Sequence, residues 1–305
     1  MVRFVRASSA TEGAFAMLPA RFEYHRPASL EEALELLATH GEDAKVLAGG
    51  QSLIPAMKLR FAGPAHLIDI NRIPGLDAIE ERDGALHIGA LVRHHQLEDS
   101  DVIAARYPTI AAAAPQIADP LVRNLGTIGG SLAHADPAGD LGSVMLALDA
   151  SVVLRSGGGE REVPVRDFFV SVFETSAAAN EILTEVRVPQ PSARFGGAYL
   201  KMERRVGDFA TVAAAVFLSM DDGAIDRAGI GLTAVGLSNL KATAAEEVLV
   251  GQAPSGDLFA RAGALAAEAS SPSTDVRGSE AYKRHIVDVY VRRGLATAAD
   301  MAGAA

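Results

Sequence analysis

Two short segments, Leu47-Ala48-Gly49-Gly50-Gln51-Ser52 and Thr127-Ile128-Gly129-Gly130-Ser131, lie about eighty residues apart and share one chemical logic. Each sets paired glycines, which let the backbone turn and approach a ligand closely, beside a hydroxyl able to donate to a phosphate oxygen. Together they suit the two halves of a pyrophosphate cradle. For either segment alone, a glycine turn that merely relieves crowding is an equal alternative. The glycines do not continue as G-x-G-x-x-G into a long helix, which disfavours the Rossmann type of dinucleotide site. His94-His95 is a poor metal pair, because adjacent side chains point differently on a helix or a strand and no carboxylate or cysteine spacing supports them. His134 borders the second segment, and Arg204-Arg205 reads as a solvated charge pair.

Composition narrows the chemistry. The 305 residues are 49% hydrophobic, enough for a sizeable core and two or three compact units. A net charge of -10 without any block of Lys or Arg argues against a nucleic-acid surface. The absence of cysteine excludes disulfides, a protein-held iron-sulfur cluster, thiolate zinc and a cysteinyl-flavin bond. The longest apolar stretch, Phe209 to Met220, is too short to cross a bilayer. Residues 1-16 lack the sustained apolar core of a secretory signal and read as a loose extension, with Met17 as an alternative start.

The elements that must hold the glycine segments follow from periodicity and punctuation. Ser29 to His40 predicts a helix with a Ser29/Glu32 capping box, an apolar face of Leu30, Ala33, Leu34 and Leu37, and a stop at Gly41. Lys45 to Ala48 predicts a strand feeding the first segment, Ser52 to Leu59 a short helix, and His66 to Ile70 a second strand. Ile79 to Ala90 predicts a hairpin around Asp83-Gly84, and Asp101 to Ala114 a single helix leading by a loop into the second segment. Asp140 to Ala150 predicts a helix, followed by strands at Ser151 to Leu154, Glu162 to Val165 and Glu181 to Val188, with a boundary at Pro189 and Pro191. The remainder predicts three strands, Ala198 to Glu203, Thr211 to Met220 and Ala224 to Val235, and then three helices.

The string from Leu47 to Arg60, with Leu67-Ile68-Asp69-Ile70 and Thr127 to Ser131, resembles the FAD-binding medium subunit of molybdenum hydroxylases, closest to the carbon monoxide dehydrogenase type. The resemblance runs from about Phe22 to the final helix, where Gly278 to His285 is similar to the family's C-terminal signature. It implies an α+β chain: a two-subdomain FAD-binding fold of the PCMH type (17-70 and 71-190), then a C-terminal α/β domain (191-305) with a three-stranded antiparallel sheet and helices. It implies noncovalent FAD, with Leu47, Ala48, Gly49, Gly50, Gln51 and Ser52, and Thr127, Ile128, Gly129, Gly130 and Ser131, around the pyrophosphate. Asp140 matches a cofactor-contacting aspartate, with an N-cap role as the alternative. Leu183 and Lys201 fall where the family approaches the isoalloxazine, although a strand lysine is ordinarily a solvated edge residue. Phe209 matches an aromatic that shields one ring face, with core packing as the alternative. Gln51 stands where the carbon monoxide dehydrogenase pattern often has histidine, and Ser131 where acid is common, which leaves the substrate open.

The implied role is an electron-transfer subunit in a cytoplasmic dimer of heterotrimers, associated with the membrane only through partners. A large partner holds the molybdenum cofactor, a small partner holds [2Fe-2S] clusters, and electrons pass through FAD to an external acceptor. The absence of cysteine is consistent with clusters held elsewhere. Two other classes stand beside it: a self-sufficient FAD-dependent reductase of the UDP-N-acetylenolpyruvoylglucosamine reductase type, and a glycine-rich interaction module without flavin.

Overall fold

The computed structural model describes residues 18-192 and 194-304; the expectation for residues 1-16 lies outside them. The N-terminal part contains β1 (Glu23–His25), α1 (Leu30–His40), β2 (Ala44–Leu47), α2 (Leu53–Lys58) and β3 (His66–Asp69). Its sheet is parallel, in the order β1-β3-β2. Ser29 caps α1 by accepting from the Glu32 amide, whereas the Glu32 carboxylate takes the Ala28 amide and not that of Ser29. Ala33, Leu34 and Leu37 are buried with Ile68 and Ile70 of the sheet side. Because β2 and β3 run in the same direction, the glycine segment after β2 and the Ile70-Asn71 turn after β3 emerge at the same sheet edge. Open parallel sheets bind ligands at that carboxyl edge.

The middle part opens with the hairpin of β4 (Ile79–Arg82) and β5 (Ala85–Gly89), in which Asp83 and Gly84 both have positive φ, as a type I′ turn requires. Six helices follow: α3 (His94–Glu98), α4 (Asp101–Arg106), α5 (Pro108–Ala113), α6 (Pro120–Arg123), α7 (Ile128–His134) and α8 (Asp140–Ala147). After them come β6 (Ser151–Ser156), β7 (Gly159–Pro164), α9 (Val165–Phe168), β8 (Phe169–Ser171), β9 (Glu174–Thr175) and β10 (Ile182–Pro189). Five of these strands form an antiparallel sheet, β4-β5-β10-β6-β7. The single helix expected over Asp101 to Ala114 is two. Pro108 has no N–H to continue the ladder and disfavours helical geometry at Tyr107, whose φ of -128° and ψ of 64° break the run.

The C-terminal part has β11 (Phe195–Met202), β12 (Val212–Asp221), β13 (Ala224–Thr233), β14 (Leu240–Lys241), α10 (Thr243–Glu247), α11 (Gly256–Ala269) and α12 (Glu280–Ala304). The sheet has four antiparallel strands, not the expected three. The added β14 is two residues long, too short to leave a period-two pattern in the sequence. Val212, Ala214, Val216 and Leu218 share one core with α11 and α12, while Ala213, Ala215 and Phe217 on the other face join the middle core. A Cβ on Gly229 would lie 1.7 Å from the Ala147 carbonyl oxygen, and one on Gly231 would lie 1.9 Å from that of Ser143. The missing side chains let α8 rest its backbone on β13, and this brings Asp140 to β11. Among the described residues, no helix is long and apolar enough to cross a membrane.

Candidate cofactor-binding site

The structure brings the two glycine segments together. A Cβ on Gly49 would lie 2.4 Å from the Leu125 carbonyl oxygen and 2.8 Å from Gly126 Cα, and one on Gly130 would sit 3.8 Å from Ala48 Cβ. Backbone packs on backbone there, which only glycine permits. Gly50 has a φ of 73°, in the left-handed region. Among the described residues, the amides of Gly49, Gly50, Gln51 and Ser52 have no protein acceptor, and Ser52 precedes α2 without capping it. Leu47 ends β2 and its carbonyl accepts from the Ile70 amide at 3.1 Å.

The second segment behaves differently. It is the opening of the seven-residue helix α7, capped by Thr127, whose hydroxyl accepts from Gly130 N at 3.1 Å. The Ile128 amide donates to Val92 O at 3.0 Å, Gly129 to Ala90 O at 2.9 Å, and Ser131 to Thr127 O at 2.9 Å. Every amide from Ile128 to Ser131 is therefore committed inside the protein. A Cβ on Gly129 would lie 2.5 Å from Ala90 Cβ, so that glycine serves packing. The donors on offer come from the first segment, and the second supplies a wall and the part-exposed Ser131.

A polar network missed by sequence reasoning ties the segments to each other. Asn71 Nδ2 donates to the Ala48 carbonyl at 2.8 Å and to Asp69 Oδ1 at 2.7 Å. Arg93 donates through Nη2 to Asn71 Oδ1 at 2.5 Å and through Nη1 to the Leu125 carbonyl. Tyr24 donates to the other oxygen of Asp69, and the hydrogen bonds from Tyr24 and Asn71 hold that carboxyl below its ordinary range despite partial burial. The available signal was Asn71 two residues after Asp69, an Asx-turn spacing; its amide indeed donates to Asp69 Oδ1 at 2.9 Å. Free amides, a left-handed glycine and a guanidinium at the carboxyl edge of a parallel sheet fit a diphosphate.

The remaining sequence-predicted residues occupy three other places. Asp140 does not cap α8: Gly139 is the N-cap, and the Asp140 side chain, 9% exposed, accepts from Tyr199 Oη at 2.5 Å and Lys201 Nζ at 3.2 Å. Lys201 is not a solvated edge residue; its side chain is 1% exposed and also reaches Gln116 O at 2.8 Å and Glu203 Oε2 at 3.4 Å. Burial pushes the Asp140 carboxyl above its usual range even with Lys201 beside it, and burial followed by the Asp140 charge drives Tyr199 well above that of a free phenol. Leu183 packs into the middle core from β10, next to a bulge between Leu183 and Glu185. Phe209 is 56% exposed, which excludes core packing. Arg277 holds it by donating to its carbonyl at 2.8 Å and pairing with Asp208 at 3.0 Å. Phe209 borders a cleft of about 320 Å³ with Pro137, Thr211, Gly236 and Arg277.

The histidines near the segments take structural roles. His94 is 5% exposed, its ring packs where a Cβ on Gly126 would stand, and burial with Arg123 and Arg93 nearby lowers its pKa to about 4. His134 lies against Phe173 with ring centroids 4.9 Å apart, and burial lowers its pKa.

Residues 20-191 match the family described as FAD binding domain in molybdopterin dehydrogenase, and residues 197-298 match CO dehydrogenase flavoprotein C-terminal domain. The chain is 42% identical to the carbon monoxide dehydrogenase medium chain of Hydrogenophaga pseudoflava, over 92% of this chain and 97% of that one. It is equally 42% identical to the 6-hydroxypseudooxynicotine dehydrogenase complex subunit alpha of Paenarthrobacter nicotinovorans, over 92% and 96%. Among solved structures it is similar to a chain of carbon monoxide dehydrogenase from Hydrogenophaga pseudoflava lacking the Mo-pyranopterin moiety of its cofactor. The TM-score is 0.90 and the identity 44%, covering 92% of this chain and 98% of that one.

Proposed function

The chain belongs to the FAD-binding medium subunits of the molybdenum hydroxylases, oxidoreductases, and from that premise we propose that it is the electron-transfer subunit of such a complex. In this reading a large partner carries the molybdenum cofactor and substrate, and a small partner carries [2Fe-2S] clusters. The three chains assemble as a cytoplasmic dimer of heterotrimers. The observation that carries the reading is the row of uncommitted amides from Gly49 to Ser52, held by Asn71 and Arg93 against the second glycine segment.

Bound FAD supplies the two-electron and one-electron redox chemistry that amino-acid side chains lack. The chain's own residues bind and orient it noncovalently. Gly49 to Ser52 would present amides and hydroxyl to the diphosphate, with Leu47 and Ala48 leading into them from β2, Thr127 to Ser131 would form the opposing wall, and Arg93 would add positive charge. Phe209, fixed by Arg277 and exposed beside its cleft, offers a flat apolar surface to one isoalloxazine face. Asp140 and Lys201 act through their mutual pairing, which holds α8 against β11. Leu183 shapes the apolar wall behind the second segment. Carbon monoxide is one candidate substrate; the chain is equally identical to relatives named for carbon monoxide and for 6-hydroxypseudooxynicotine, so its likeness favours neither.

Titrating the purified chain with FAD tests the binding role, with one flavin per chain expected. A folded chain that takes up no FAD overturns it. Co-expression with large and small partner chains tests the rest: substrate added to the complex should bleach the flavin absorbance, and should not do so in the isolated chain. An isolated chain that oxidises NADPH with a substrate of its own overturns the subunit role in favour of the self-sufficient reductase.

A further inference from the structure

Three histidines outside the cofactor site converge at the opposite edge of the N-terminal sheet. His25 ends β1, His40 ends α1 and His66 opens β3. His25 Nε2 lies 3.0 Å from His66 Nδ1, the His40 and His66 rings stack with centroids 3.6 Å apart, and one ring nitrogen from each lies within 4.8 Å of the others. All three are partly buried. Glu23, two residues before His25 and so on the same strand face, brings a carboxylate oxygen to 3.4 Å from His66 Nδ1. Among the described residues this is the one group of three or more potential ligands that converges.

We propose that His25, His40 and His66, completed by Glu23, bind a divalent transition-metal ion of the zinc type. Imidazole donors with one carboxylate favour zinc over magnesium or calcium, which take all-oxygen shells. Zinc–nitrogen bonds of about 2.0–2.1 Å in a tetrahedron place ligand nitrogens about 3.3 Å apart. The 3.0 Å His25–His66 separation is already close to that, and rotation of His40 out of its stack brings in the third nitrogen. In the metal-free site His25 and His66 share one hydrogen-bonded proton. Coordination by both rings moves it to the other nitrogen of the donor imidazole, a change of tautomer with no net proton lost. The ion would fasten β1, an edge strand of three residues, to α1 and β3. Within β3, His66 is separated from Asp69 by about 10 Å at the usual strand rise, and Tyr24, which bonds Asp69, lies between Glu23 and His25 on the opposite strand face. Zinc is redox-inert, so its role is to brace the sheet from which the glycine segment springs.

The test uses untagged full-length protein stripped with a chelator and titrated with metal in neutral buffer. Zinc alone should bind at one ion per chain and raise the thermal midpoint, and cobalt(II) should give visible tetrahedral d–d absorption that zinc abolishes. His25→Asn and His40→Asn should each weaken zinc about tenfold to a hundredfold or more, since even outer-shell changes cost that much. Both variants should keep the wild-type circular dichroism and FAD stoichiometry, which separates this site from the cofactor site. His95→Asn should retain wild-type zinc affinity. Absence of stoichiometric binding overturns the proposal, as does unchanged affinity in both ligand variants or loss in the His95 control.

Discussion

Asn71→Ala tests whether the first glycine segment is held open for a ligand by side chains and not by its own backbone. The substitution removes donation to the Ala48 carbonyl at 2.8 Å and to Asp69 at 2.7 Å, and it takes away the acceptor of Arg93 at 2.5 Å. A neutral hydrogen bond contributes about 1 kcal/mol net and one to a charged group about 1.5–3 kcal/mol. Water replaces part of this in a half-buried network, leaving about 2–3 kcal/mol of lost loop ordering. If bound FAD must reimpose that order, its Kd rises roughly 30- to 150-fold, since 1.4 kcal/mol is a factor of ten. Flavin fluorescence quenching on titration into the apoprotein measures Kd, and thermal unfolding of the apoprotein measures the structural cost separately. Asn71→Asp retains an acceptor for Arg93 but loses the donor to Ala48, so it should fall with Asn71→Ala if the Ala48 link governs. A Kd within about threefold of wild type, accompanied by a lower apoprotein midpoint, refutes the reasoning and leaves the network as fold support only.

Gly129→Ala is expected to destabilise by about 1–3 kcal/mol through overpacking against Ala90, read by urea unfolding, while the folded fraction keeps its flavin stoichiometry. Lys201→Met strands the Asp140 and Glu203 carboxylates and should cost about 3–5 kcal/mol, with Asp140→Asn restoring much of it. Because the Asp140 pKa is already raised, the Lys201→Met deficit should shrink as pH falls toward that pKa and grow above it, which unfolding across pH resolves. Phe209→Ala should change flavin fluorescence or midpoint potential yet leave unfolding within about 0.5 kcal/mol, as for other surface positions. His94, with its folded pKa lowered to about 4, contributes stability that is complete above the unfolded value of 6.5. That contribution, roughly 3 kcal/mol, is lost as pH falls from 6.5 to about 4, and His94→Leu should flatten the slope in acid unfolding curves.

Strong local patterns carried through to the fold. The Ser29 cap with its Leu34 and Leu37 face, the Asp83-Gly84 hairpin, and the long apolar runs of β12 and β13 joined at Asp222-Gly223 each specify their element through short-range pattern. Weak or interrupted patterns did not. Pro108 divided what composition alone reads as one helix, and β14 is a strand only because Gly231 and Leu232 of β13 offer it a partner. The helix at Thr127 was hidden for a related reason, since its glycines are poor helix formers and the turn is held by Ala90 and Val92 from a distant segment.

The residues by themselves determined the family, marked two glycine segments as candidate halves of a phosphate site, and, through the absence of cysteine, excluded a thiolate-held cluster on this sequence. Such features reside in residue type and short spacing, which the chain carries before it folds. Only the tertiary structure decided how the segments divide their work: among the described residues the amides of Gly49 to Ser52 have no acceptor, whereas those of Ile128 to Ser131 are consumed by backbone carbonyls and the Thr127 hydroxyl. It also removed the cap alternative for Asp140 by burying it against Lys201, and it gathered Asn71 and Arg93 into one network and His25, His40 and His66 into one cluster. Whether a donor is free or an ion is buried depends on what lies across space from it. For these groups the neighbours are tens of residues away along the chain, beyond the reach of any local pattern.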